Sequence, residues 1–317
     1  MRAALEAVMV TTEDRKFKKL TSWYATASSY FSDINPFGVP AHTLFREIQN
    51  GLEMRITAPF TLKIAGLDED YLKVHLNRCN AGYPPAASLK NYCLMDKFEN
   101  VAWIVLDYVI PLVPTVQDYF APIIHGIHEI AKKTLDTYMT SELRSSMMPL
   151  NQPPEGFSKF ILNQIKRDAV NDQGLVSDIS FHSIVSHLQK YYPIESGLFR
   201  NSAKLVHIDK HTERARSGKL QLRHHPCSTA ELPYLELSTV LATFSKNDYA
   251  SMLDLAVNIN TGTETPVTLF VAGIGSEGVL VAKNILPVFN GIPLSVLKEF
   301  VDFTMEGVND IVECWLS

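Results

Sequence analysis

The best-spaced candidates for chemistry are Gly273-Ile274-Gly275-Ser276-Glu277-Gly278, a G-x-G-x-x-G run. Glycines of this spacing allow a tight turn and close backbone approach, and the amides of a following helix N-terminus cradle a phosphate. The run follows an expected strand over 267–272 and precedes an expected helix over 276–289, the setting that the phosphate-binding fingerprint needs. About 20 positions on, however, stand Pro293-Leu294-Ser295 rather than an acidic residue. A plain glycine-rich strand-to-helix connection is therefore the favoured reading. The chemical reading is a nucleotide- or phosphate-ligand enzyme with Gly273, Gly275 and Gly278 at the phosphate.

A second constellation is His207-x3-His211-x12-His224-x2-Cys227, zinc-finger spacings in reversed ligand order, with His225 to spare. Imidazole and thiolate suit zinc, and a hairpin would bring the two pairs together. The same stretch carries Lys204, Lys210, Arg214, Arg216, Lys219 and Arg223 against Asp209 and Glu213. This basic 204–223 hairpin is an exposed polar element, a surface for an acidic protein, or a contact to nucleic-acid phosphates. Few aromatics accompany it and no nucleic-acid-binding motif surrounds it, so nucleic acid is not the favoured partner.

Other titratable clusters read as structural. His125, His128 and Glu129 share a helix face without the spacing of a metalloprotease motif. His182 and His187 are five apart and point to different helix faces. Asp68, Glu69 and Asp70 suit the positive end of a helix dipole. The sequence names no catalytic residue, no metal ligand set and no cofactor.

The clearest pattern lies in 52–64. Leu52, Met54, Ile56, Ala58, Phe60, Leu62 and Ile64 alternate with Glu53, Arg55, Thr57, Pro59, Thr61 and Lys63. Period-two alternation puts one face in a core and the other in water or on a partner. Fully extended, the segment would span about 43 Å. Pro59 cannot donate to a ladder, so the strand lies at a sheet edge or bends there into two. Arg55, Thr57, Pro59, Thr61 and Lys63 form the candidate interface; they either blunt the edge or admit a neighbour's strand.

Punctuation along the chain sets the helices and strands that would hold these residues. Helices are expected over 12–33, 40–50, 68–82, 115–148, 158–171, 179–192, 276–289 and 294–315. The apolar run 101–113 reads as a buried core helix, too short for a bilayer, which needs about 20 residues. Strands are expected over 204–209, 219–224, 234–244, 255–260 and 267–272, with turns at Ser217-Gly218 and Thr261-Gly262-Thr263. No internal repeat is apparent. The class is α+β: a helix-rich N-terminal half with one long alternating strand, then an antiparallel sheet with terminal helices. Pro149, Pro153 and Pro154 mark a boundary between regions 1–148 and 157–317, unless the two share one intertwined domain.

Length and composition narrow the classes. The 317 residues are 46% hydrophobic and 20% charged, with net charge −5, which excludes disorder and a globally basic coat. Cys79, Cys93, Cys227 and Cys314 form no framework, which points to a reducing, cytoplasmic setting. Without a catalytic motif, the leading expectation is a non-enzymatic structural or interaction subunit of a larger assembly, of viral or phage type. It would self-associate or bind a protein partner; if viral, it would reside in the virion.

Overall fold

Asp68 starts the first described helix through its side chain. Its carboxylate accepts from the N–H groups of Asp70 and Tyr71 at 3.0 and 3.1 Å, opening α1 (Glu69–Ala81). Gly82 closes α1 in the left-handed region at φ 82°. This is the acidic start and glycine stop expected there. The computed structural model describes residues 42–48, 51–63, 68–82, 90–96, 101–112, 180–196, 201–208, 215–226, 231–263, 265–274, 276–288 and 294–316.

Around α1 lies a four-stranded antiparallel sheet: β1 (His42–Ile48), β2 (Gly51–Lys63), β3 (Lys90–Asp96) and β4 (Val101–Leu112), in the order β1-β2-β4-β3. After α2 (Phe181–Leu188) comes a six-stranded antiparallel sheet. Its strands are β5 (Ile194–Ser196), β6 (Ser202–Ile208), β7 (Ala215–Pro226), β8 (Glu231–Ser245), β9 (Thr268–Ile274) and β10 (Glu277–Pro287). Their order is β5-β6-β7-β8-β10-β9. Helix α3 (Tyr249–Gly262) joins β8 to β9, and α4 (Leu294–Ile311) follows β10. The class is α+β.

The two sheets share one path. β1-β2-α1-β3-β4 and β7-β8-α3-β9-β10 have the same element order, and their strands lie in matching orders. The registers align them residue by residue: Thr57 and Lys90 flank Asp107 just as Ser238 and Thr268 flank Lys283. In the second sheet the core joins Ala256 and Ile259 of α3, Leu269 and Val271 of β9, Leu280 and Ala282 of β10, and Val308 and Ile311 of α4.

Several expectations are corrected. The run 101–113 is strand β4, and 277–287 is strand β10, where helices were expected. Both are interior strands, and consecutive residues are buried in each: Asp107, Tyr108 and Val109, and every residue of 278–287. A strand covered on both faces loses its alternation and reads like a core helix. Residues 42–48 form β1, not a helix: they pair antiparallel with β2, Ile48 standing opposite Gly51. Conversely, 255–260 is helical: Leu253, Ala256, Ile259 and Asn260 are its buried face. Ser217 and Gly218 lie inside β7, opposite Val206 and Leu205. Thus the described part of the first half holds four strands and one helix, not one long strand among helices. The expected helices over 12–33, 115–148 and 158–171, the boundary near 148–157, and His125, His128 and Glu129 lie outside the described residues.

Candidate functional site

The two sheets meet through their edge strands and the helices beside them: α1 packs on β9 and on α3, and α3 packs on β3. Three asparagines make this seam. Asn80 of α1 donates from Nδ2 to the Asn91 carbonyl at 2.9 Å and accepts the Asn91 N–H at 2.8 Å. Asn260 of α3 does the same to Leu269, with both bonds at 2.8 Å. Asn77 crosses the seam, donating to the Val271 carbonyl at 2.9 Å and accepting its N–H at 2.7 Å. A carboxamide presents one donor and one acceptor, as a neighbouring strand would, so it seals an edge residue completely. Leu269 and Val271 are two apart, so both face the same edge of β9. Lys90 Nζ donates to the Thr263 carbonyl at 2.7 Å, and the Tyr108 hydroxyl to the Ile285 carbonyl at 3.1 Å, adding two more links between the halves.

His207 lies elsewhere, on β6 opposite Arg216. His224 is eight residues further along β7, about 26 Å away at strand spacing, so these two candidate zinc ligands are not brought together. His211 and Cys227 lie outside the described residues, and no cluster of three metal-ligating side chains occurs among the described ones. His207 instead faces Asp302 of α4, Nε2 to Oδ1 at 3.6 Å. The Tyr192 hydroxyl donates to the same Oδ1 at 2.6 Å, and Lys298 Nζ reaches Oδ2. Burial alone would push the Asp302 pKa up; the donors His207, Lys298 and Tyr192 outweigh it and hold the carboxyl below the usual range. Burial, followed by the hydrogen bond to Asp302, pushes the Tyr192 hydroxyl pKa up. Asp302 therefore ties β6 and the end of the α2 segment to α4.

The basic hairpin is largely used within the chain. Lys204 pairs with Glu195 at 3.4 Å, Arg216 Nε donates to Asn309 at 2.6 Å, and Arg223 Nη2 reaches Glu236 at 2.9 Å. Lys210 and Arg214 lie outside the described residues.

The glycine run is a hairpin between antiparallel strands. Gly273 pairs with Gly278 and Ile274 with Glu277, so β10 stands where the phosphate reading required a helix N-terminus. Gly275 lies outside the described residues. A Cβ at Gly278 would lie 2.2 Å from the Phe244 ring, whereas one at Gly273 would meet nothing within 4 Å. Packing against Phe244 explains the glycine at 278, without a ligand.

The alternating strand is β2. β4 pairs along Leu52 to Lys63 and β1 along Gly51 to Thr57; the residues before His42, which that register would carry toward 58–63, lie outside the described residues. Arg55 and Thr57 are thus interior to the sheet, between β1 and β4. Thr57 stands opposite Asp107, which is 1% exposed. In the second sheet β7 pairs with β8 up to Ser238, and beyond that pair the Thr239 hydroxyl donates to the Ser217 carbonyl at 2.6 Å. At the position equivalent to Pro59 is Val240, 55% exposed, followed by a register shift at Leu241.

Sequence reasoning missed the three seam asparagines and Asp302. A signal existed for two of them: Asn80-Ala81-Gly82 and Asn260-Thr261-Gly262 end the two equivalent helices.

Comparison with known proteins adds little to this geometry. No family model and no curated protein matches the chain. Among solved structures, the crystal structure of YbjN, "a putative transcription regulator from E. coli", is similar at 14% identity, over 44% of this chain and 91% of that chain. Its TM-score is 0.30. Among the described residues, no helix is long and apolar enough to cross a membrane.

Proposed function

We propose that the chain is a non-enzymatic interaction subunit of a larger protein assembly, binding a second copy or a protein partner along β2. The observation that supports this reading is the length of β2, whose alternating residues Gly51–Lys63 form one strand paired with β4 over Leu52 to Lys63. At the inner edges, asparagine side chains seal β3 at Asn91 and β9 at Leu269 and Val271. Pro59 and the irregularity at Leu241 are devices that discourage indiscriminate edge pairing. Selection then falls to the side chains Arg55, Thr57, Pro59, Thr61 and Lys63. The division into regions 1–148 and 157–317 belongs to the same proposal, since each of the two repeated paths falls wholly within one region.

Native mass from light scattering across a concentration series tests the self-associating form. A discrete oligomer or growing polymer is expected. A strand accommodates proline with its nitrogen toward the open edge, and Thr61 has its backbone on the same side as Pro59. Thr61→Pro should therefore abolish association while leaving the unfolding midpoint nearly unchanged. A monomer at every concentration overturns self-association; association that survives Thr61→Pro overturns β2 as its route.

A further inference from the structure

One face of the second sheet buries a set of charges that its own atoms leave incomplete. Gln221, Glu236 and Ile285 stand in one cross-strand row, and Arg223 and Lys283 are each two residues from that row. Two-residue steps keep a side chain on the same face, so all four polar side chains project together. Arg223 Nη2 binds Glu236 Oε1 at 2.9 Å. Lys283 is 1% exposed, and its Nζ has no hydrogen-bond partner; it lies 5.5 Å from the centre of the Phe270 ring. Arg223 Nε is likewise buried without an acceptor.

The charge count leaves one cation over. Glu236 answers one of the two basic groups, so a protonated Lys283 is a buried charge without a counter-ion, which costs several kcal/mol. Ring contact with Phe270, desolvated as it is here, offsets on the order of 2 kcal/mol. What is missing is mainly acceptors: up to three N–H groups on Lys283 and one on Arg223, set against the free Gln221 oxygen. A chloride-sized ion would supply charge but little directionality; a carboxylate or phosphate oxygen supplies both. The Arg223 side chain is 41% exposed while that of Glu236 is 6% exposed, so the cluster reaches solvent on the Arg223 side.

We propose that Lys283 and Arg223 form a binding site for a small oxyanion, a carboxylate or an inorganic phosphate, which enters beside Arg223 and completes the charge pairing against Glu236. The site is separate from β2 and does not depend on the proposed interface. Burial lowers the Lys283 pKa to about 8, with Glu236 raising it and Arg223 lowering it. At neutral pH the amine is therefore still largely protonated, as an anion requires.

The test uses the full chain. Thermal unfolding is followed at pH 7 while acetate, inorganic phosphate or chloride is titrated at constant ionic strength. Wild type is expected to show a saturable rise in Tm with acetate or phosphate and little with chloride; the acetate and phosphate arms decide which oxyanion fits. Lys283→Met keeps the side chain's length and apolar stem, removes the unpaired charge, and should fold at least as stably. Its oxyanion response should vanish, and that of Arg223→Gln should weaken. In wild type, the ¹³Cε resonance of Lys283 should titrate at higher pH with the bound oxyanion than without it. An equal Tm rise in Lys283→Met, or no saturable rise with either oxyanion in wild type, overturns the proposal.

Discussion

Asn80 and Asn260 occupy the same place in two helices, the twelfth residue of α1 and of α3, and each carboxamide takes both backbone groups of the second residue of the following edge strand. Nothing else in the two helices requires asparagine there. Both are buried, so the bonds exclude water from the edges of β3 and β9. A polar group buried without a partner costs more than a formed bond gains.

Replacing either asparagine by alanine should therefore lose about 2–6 kcal/mol, from two stranded backbone groups at about 1–3 kcal/mol each. Denaturant unfolding measures the loss. Asn77→Val places the residue found at the equivalent position of α3, Val257, and should open the seam specifically. Hydrogen exchange at Val271 should rise by more than at Leu269, which keeps its own clamp. A loss under about 0.5 kcal/mol in all three variants would show that the edges are held some other way.

The hairpin and the phosphate turn predict opposite behaviour for two glycines. With Phe244 against it, Gly278→Ala should destabilise by about 1–3 kcal/mol, and Phe244→Ala in the same chain should recover part of that loss. Gly273→Ala, with space around it, should stay within about 0.5 kcal/mol. Equal damage from both, relieved by added phosphate, would restore the ligand reading.

Asp302 sets an acid limb. Its carboxyl titrates below the ordinary value when folded and near 3.9 when unfolded, so the unfolded chain binds the proton first as pH falls. Its contribution is complete above about pH 5 and declines as pH falls through about 4 and further toward the folded pKa. Asp302→Asn should lower stability at pH 7 and flatten the pH dependence between about 5 and 2. An unchanged slope in that window would mean that the contacts from His207, Tyr192 and Lys298 contribute no net stability.

Much of the local structure was legible. Asp68 and Gly82 bound α1 as their types require, the alternation over 52–64 is β2, and the amphipathic C-terminal stretch is α4. What misled was environment rather than propensity. β4 and β10 lie between other strands, and consecutive residues are buried from Asp107 to Val109 and over 278–287, which hides a period-two signal. The G-x-G-x-x-G spacing was present, but the run leads into strand β10, and only the pairing of Gly278 with Gly273 revealed that. His207 and His224 are close in sequence pattern, yet strand geometry carries them far apart.

Caps, turns and amphipathic faces could be read from the residues alone, because each depends on neighbours within about one turn or a few strand residues. Tertiary pairing was needed to establish that two stretches with almost no common sequence follow one path, with Asn77 of the first half clamping Val271 of the second. It likewise placed Glu236, Arg223 and Lys283 on one buried face. Strand order and register bring together residues far apart in sequence, and a carboxamide or an ammonium carries no mark of the partner it will meet until the backbone groups around it are in place.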